Sequence, residues 1–355
     1  MESHVTTSDN SHHHNHGINS TTTNMRTTPT HDHCRRAVAL SIALLSLVIF
    51  SSYAFVQPQH KHPRTQTSSL CMSSTTHQIH QATLANKDDI IDRPTAQQLV
   101  TNILCPPNEE QSRTNAGTEA FGQDTHAKVI TKDDPRNEYT YGEFPFDSFD
   151  LLVDLAAGYL DETTTQEEAG GKRKKMIDVG SGSGRLALYA GLIRSDWDVT
   201  GIEIGHQLHS LAVGSLQRGI SEDLFQPIDD NNTSGEEAQI SFYNGNVLPG
   251  IDPYFQNTLC DNDTVQSILS EANLLFAYST VFETDSLQSF NPELGAMVLS
   301  SKWSQTLAST CQNGVVAVTT DRILNPDHGW QLLDRMDVDN PSVWGSVGYI
   351  SVLQK

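Results

Sequence analysis

Residues 176–191 read MIDVGSGSGRLALYAG, and this stretch constrains the fold more than any other in the chain. An apolar run, three glycines at alternate positions and a Leu/Ala-rich run predict a buried strand, a tight turn and a helix start. Such a turn brings backbone close to a ligand, because glycine has no side chain to fill the space. A dinucleotide fingerprint needs G-x-G-x-x-G, whose last glycine allows close helix-to-strand packing. Here glycines stand at 180, 182 and 184, and the slot for that last glycine holds Arg185. The pattern argues against a nicotinamide oxidoreductase.

Asp178 stands in front of the first glycine, so the element is D-x-G-x-G-x-G. A carboxylate there meets a positively charged ligand group. S-adenosylmethionine carries an ammonium on its methionine tail and has no pyrophosphate, so it needs no helix N-terminus for two phosphates. The expected cofactor is therefore S-adenosylmethionine, with Asp178, Gly180, Ser181, Gly182 and Gly184 forming its cradle. A second acid follows at the end of the strand VTGIEI: Glu203 lies about 20 residues past the last glycine, where a carboxylate accepts both ribose hydroxyls. The next strand ends in NGNV, and the amide of Asn246 is placed to meet the adenine amino group.

From Lys175 onward the pattern alternates strand and helix, which predicts a mostly parallel sheet with helices on both faces. Strands are expected at 175–180 and 198–204, over ISFYNGNV, NLLFAYS and GVVAVTTDRI, with helices at 185–194, 206–219, before Ala272 and over 297–311. The ending breaks the rhythm. WQLLDRMDVD and VGYISVLQK are joined by NPSVWGS, too short for a crossover helix, so the two strands must pair antiparallel. A doubly wound sheet that finishes in such a hairpin resembles the class I methyltransferase fold, which implies a seven-stranded sheet and a domain over 133–355.

The segment YTYGEFPFDSFDLLVDLAAGYL, followed by MIDVGSGSGRLALYA, TGIEI and LLFAYSTVF in that order, resembles the non-SET histone-lysine methyltransferase family associated with telomeric silencing. In that family the tyrosine-glycine-glutamate loop closes over the cofactor, which implies cofactor-binding roles for Tyr141 and Glu143. The family ends its fourth strand with a pair of asparagines that line the channel for the target lysine. This chain has Tyr278 and Ser279 there, so the expectation is that these two hydroxyls orient the methyl acceptor or relay its proton.

The chain carries a net charge of −21 over 355 residues, whereas nucleic-acid binders display a basic patch. Direct nucleic-acid binding is not expected, and the acceptor is an unidentified protein side chain or small molecule. The five cysteines are scattered and form no CxxC pair, so no metal site is expected. A catalytically silent binding protein that kept the fold is the competing reading, motivated by the missing asparagine pair. Residues 1–80 read as a Ser/Thr/His-rich leader, and 81–132 as a linker and pre-domain segment. Within the leader, Arg35 and Arg36 precede AVALSIALLSLVIF, a signal-like apolar run that extends over 37–56. Phe55 and the Ser/Thr-rich, acid-free stretch behind it resemble the bipartite plastid presequence of algae with secondary plastids. An uncleaved anchor on the secretory route, contacting the membrane through 37–56, stays open as the alternative.

Overall fold

The structure is a computed structural model, and it describes residues 80–85, 91–119, 141–163, 173–228, 238–250, 252, 254–255, 258–285 and 289–355. The apolar segment 37–56 and the transit-like stretch lie outside the described residues. Among the described residues no helix is long and apolar enough to cross a membrane.

The chain opens with β1 (His80–Leu84), α1 (Arg93–Leu99) and α2 (Glu110–Ala116). Asp92 caps α1 by accepting from the Thr95 N–H at 3.0 Å, one of the donors a helix start leaves open. α1 runs on into a π turn over Val100–Leu104, and two arginines take up the carbonyls left at its exit. Arg218 donates to Leu104 O at 3.1 Å, and Arg113 to Pro106 O at 3.1 Å. Then follow α3 (Phe146–Thr163), β2 (Lys174–Val179), α4 (Arg185–Ile193), β3 (Trp197–Glu203), α5 (His206–Ser221), β4 (Phe225–Pro227), β5 (Gln239–Asn244) and α6 (Asn262–Ser270). The rest comprises β6 (Leu274–Ala277), β7 (Phe290–Asn291), β8 (Ala296–Val298), α7 (Ser301–Thr310), β9 (Val316–Thr320), β10 (Arg322–Ile323), β11 (Trp330–Val338) and β12 (Ser346–Leu353).

The main sheet has the order β11-β12-β9-β6-β2-β3-β5-β1-β4. Its five central strands, from β9 to β5, are parallel, as the alternating pattern requires. β12 runs antiparallel to β9, and β11 antiparallel to β12. The sheet therefore has nine strands where seven were expected. The two extra ones are β1 and β4, which pair antiparallel with each other at the β5 edge. The described part of the segment read from the sequence as linker and pre-domain, 81–132, thus supplies most of β1, which lies between β5 and the edge strand β4, and the helices α1 and α2. HQATL is short and has no run of branched residues, so nothing in it announces a strand. The helix expected over 297–311 is also shorter. Its first two residues fall in β8 (Ala296–Val298), part of a small sheet ordered β10-β8-β7.

Side chains alternate across the sheet and build a core on each face. Along β6, Leu274 and Phe276 join Phe149, Leu152 and Val153 of α3 and Ala187 of α4. Leu275 and Ala277 point the other way, toward Val265 and Leu269 of α6 and Leu307 of α7. Phe276 meets Phe149 edge-on, with ring centroids 4.8 Å apart. All five parallel strands deliver their carboxyl ends to one edge, where open α/β sheets bind ligands.

Candidate functional site

The glycine turn leaves β2 at that edge. Gly180, Gly182 and Gly184 all adopt left-handed backbone, with φ of 75°, 57° and 77°. Residues with a Cβ rarely take this conformation, so the spacing answers to backbone geometry first. Gly180 N–H and Ser181 N–H both donate to Ile202 O, at 2.9 and 3.1 Å, which fastens the turn to the end of β3. A Cβ on Gly182 would lie 2.6 Å from the Tyr141 ring, and one on Gly184 would lie 2.6 Å from Phe242. Gly184 therefore does the close helix-to-strand packing that the sequence comparison assigned to the slot now filled by Arg185. The buried Ser181 hydroxyl has no hydrogen-bond partner among the described residues.

Two buried acids sit beside the turn. Asp178 is 3% exposed and its carboxylate takes no hydrogen bond from the described residues. Burial, and secondarily the nearby Glu203, push its pKa up to about 7. Glu203 accepts from Gly182 N–H at 2.8 Å and from Gly205 N–H at 2.7 Å, one on each oxygen. Burial still raises its pKa to about 6 against those two bonds. Both acids hold protons in the folded chain that the unfolded chain has already lost. Stability from this pair is therefore full at low pH and declines as pH rises from about 4 to about 7. The Asp178→Asn variant should gain stability relative to the parent between pH 5 and pH 8, as read by urea denaturation. A pH-independent difference would reject the buried, uncompensated acid.

The tyrosine-glycine-glutamate element is latched across the turn. Tyr141 Oη donates to Glu143 Oε1 at 3.0 Å and shares a hydrogen bond with Ser183 Oγ at 2.9 Å. Burial pushes the Tyr141 phenol well above its ordinary pKa, so it stays protonated. Glu143 is held in turn by the buried Arg113, whose Nε donates to Oε1 at 2.8 Å, and by Arg185 Nε at 3.7 Å from Oε2. Arg113 and Glu119 went unnoticed in the sequence, since both fall in the segment read as linker. Glu119 Oε2 accepts from Gln207 N–H at 2.9 Å in the first turn of α5, and its charge adds to the pressure on Glu203.

These residues line one cavity of about 1180 Å³, its open mouth included. Asp178, Gly180, Ser181, Gly182, Glu203, Asn246, Tyr141, Glu143 and Tyr278 all reach it. Gly184 does not, because it is packed against Phe242 and Ala212. Asn246 Oδ1 already accepts from Leu248 N–H at 2.9 Å, so its NH2 group and second lone pair remain for a ligand. The far wall carries Phe282 stacked on Trp303 at 4.5 Å. Tyr278 enters the cavity with its Oη accepting from Asn340 Nδ2 at 3.0 Å.

Ser279 does not share that role. It is fully buried, donates through Oγ to Thr320 O at 2.9 Å, and accepts from Thr320 N–H at 3.1 Å. Neighbouring residues at a strand end point to opposite faces, so the cavity receives Tyr278 and the sheet keeps Ser279. Its hydroxyl ties the ends of β6 and β9 together.

No family model matches this chain, and no curated protein does either. Solved structures with partial likeness include an RNA methyltransferase from Salinibacter ruber in complex with S-adenosyl-L-homocysteine. It is 20% identical over 60% of this chain and 95% of its own, with a TM-score of 0.32. Magnesium protoporphyrin IX methyltransferase from Synechocystis PCC 6803 with bound SAM is 14% identical over 62% and 89%, with a TM-score of 0.31. The ribosomal protein L11 methylase from Lactobacillus delbrueckii subsp. bulgaricus is 13% identical over 58% and 80%, with a TM-score of 0.31.

Proposed function

We propose that the chain is an S-adenosylmethionine-dependent methyltransferase of the class I fold, acting on a protein side chain or a small molecule. The observation that carries this reading is Asp178, a buried carboxylate that takes no hydrogen bond from the described residues, opening onto a cavity floored by a glycine turn. A buried acid of this kind calls for a cationic ligand. Glu203 beside it supports a diol-bearing one. The sheet order supports the same fold: two antiparallel strands close the β9 side, and the parallel strands turn outward from β2 in both directions.

S-adenosylmethionine supplies an electrophilic methyl group on a sulfonium. The protein's part is positioning. Asp178 would face the ammonium of the methionine tail, Glu203 the ribose hydroxyls and Asn246 the adenine edge. The Tyr141–Glu143 latch, braced by Arg113 and Arg185, would close over the bound molecule and exclude water. Tyr278 would present its hydroxyl to the acceptor. In motif order the chain resembles the non-SET histone-lysine methyltransferase family. With the asparagine pair absent and the chain strongly acidic, nucleosomal histone is not the substrate we propose.

Calorimetry on the full chain tests the reading. S-adenosylmethionine and S-adenosylhomocysteine should bind, with NADH giving no heat. Binding should tighten as pH rises from 5.5 to 7.5, because the cation favours Asp178 in its charged form. No binding of either compound, or binding of NADH instead, would reject it.

A further inference from the structure

The cavity has a wall that no sequence motif marks. The exit of α2 is tight: Gly117 N–H donates to Arg113 O at 2.9 Å, and Thr118 N–H to Asn115 O at 3.1 Å. A Cβ on Gly117 would stand 2.2 Å from Tyr141 Cβ, so the missing side chain lets this exit press against the Tyr141–Glu143 latch. Ala116, Gly117 and Glu119 thereby line the same cavity as the glycine turn. Of the three, Glu119 alone carries a charge, and Gln207 N–H fixes its Oε2 at the start of α5 at 2.9 Å. A Cβ on Gly205 would lie 3.1 Å from Glu203 Oε1 and 3.4 Å from Glu119 Oε2, so the two carboxylates flank one backbone position at the cavity.

Among the described residues neither Glu119 nor Glu203 forms an ion pair. A carboxylate only accepts hydrogen bonds, so a ligand that meets both must donate. The N–H groups of Gly182, Gly205 and Gln207 occupy one site each on Glu203 Oε2, Glu203 Oε1 and Glu119 Oε2. Each Glu203 oxygen keeps a second lone pair, and Glu119 Oε1 accepts nothing from the described residues. The positive end of the α5 dipole lies on the same side. Three N–H groups and a helix start thus temper the charge of this pair, whereas Asp178 takes no hydrogen bond from the described residues. The cavity is divided accordingly: the unsupported acid suits a cation, and the supported pair suits neutral donors.

Resting on the methyl-transfer reading above and deepening it, we infer that Glu119 is a second diol-binding carboxylate, which takes one hydroxyl of the ligand's ribose while Glu203 takes the other. The ligand class that fits is a nucleoside with both ribose hydroxyls free. A phosphate on either hydroxyl would bring negative charge against two carboxylates, so ribose-phosphorylated nucleotides are excluded. Glu119 follows α2 and Gly117 packs on Tyr141, so the hydroxyl contact and the latch share one wall.

Calorimetry on the full chain, with S-adenosylhomocysteine and its 2′-deoxy and 3′-deoxy forms, is the test. The parent should bind the complete ligand about 10-fold more tightly than either deoxy form, since each of these lacks a hydrogen bond to a charged acceptor. Glu119→Ala should weaken binding of the complete ligand by a similar factor. The variant should also cease to distinguish it from one deoxy form, the one without the hydroxyl that Glu119 holds, and should still discriminate against the other. Loss of the Gln207 N–H tie alone would weaken all three ligands equally. That result, unchanged affinity in Glu119→Ala, or a parent that binds all three ligands alike overturns the assignment. Adenosine with its own 2′- and 3′-deoxy forms repeats the comparison without the methionine tail. If adenosine shows the pattern while S-adenosylhomocysteine gives no heat, the methyl-transfer reading fails and the diol site stands; no heat from either overturns both.

Discussion

Replacing Glu203 with alanine is expected to weaken S-adenosylmethionine binding by about 1–3 kcal/mol, the usual loss when hydrogen bonds to a charged acceptor disappear. In this structure each Glu203 oxygen also accepts a backbone N–H, from Gly182 on one side and Gly205 on the other. Truncation therefore disorganises the turn and the entry of α5 together. Glutamine should rescue little. Its oxygen can serve one of the two N–H groups, but its NH2 then faces the other, donor against donor. Stability should change less than affinity, because removing the acid also removes the burden of burying its charge, the same burden that lifts its pKa to about 6. Calorimetry on both variants checks this. Affinity unchanged in Glu203→Ala would reject the assignment, and full recovery in Glu203→Gln would reject the two-sided role.

That dual role was half legible in the sequence. A strand-end acid about 20 residues past the glycine turn points to a ligand, because period-2 strands and a tight turn fix where the chain must be. The bonds from Glu203 back to the turn require knowing that β3 lies beside β2, which is a tertiary fact. The same boundary separates the other residues. Tyr141 and Glu143 could be read because a motif carries them. Arg113, which braces them, lies 30 positions from Glu143 in a segment with weak periodicity. Asn340, which donates to Tyr278 Oη, sits in a turn that only the sheet order brings alongside.

Alternation along LLFAYS assigns Tyr278 and Ser279 to opposite faces, so the pair divides between the cavity and the sheet. The two extra strands are not legible, since HQATL and FQP are too short to register as strands against a polar background. The parallel centre was legible throughout. Its strands are apolar on both faces, which follows from helices covering both sides.

Replacing Gly182 with valine should lower cofactor affinity by at least about 100-fold, or roughly 3 kcal/mol. Two effects combine. A left-handed φ of 57° strains any residue with a branched side chain, and the added Cβ would stand 2.6 Å from the Tyr141 ring. The Tyr141 ring must then move, and its hydrogen bonds to Glu143 and Ser183 go with it. The substitution thus opens the latch as well as filling the cradle, so loss of binding alone does not say which matters. A double-mutant cycle separates them, using Gly182→Ala with and without Tyr141→Ala. If displacement of the ring dominates, Gly182→Ala should weaken binding markedly in the parent and very little once the ring is gone. If the ligand itself needs the space at Cα, the loss should be the same in both backgrounds. Normal binding by Gly182→Val would show that the turn is not the cradle, whatever the cycle gives.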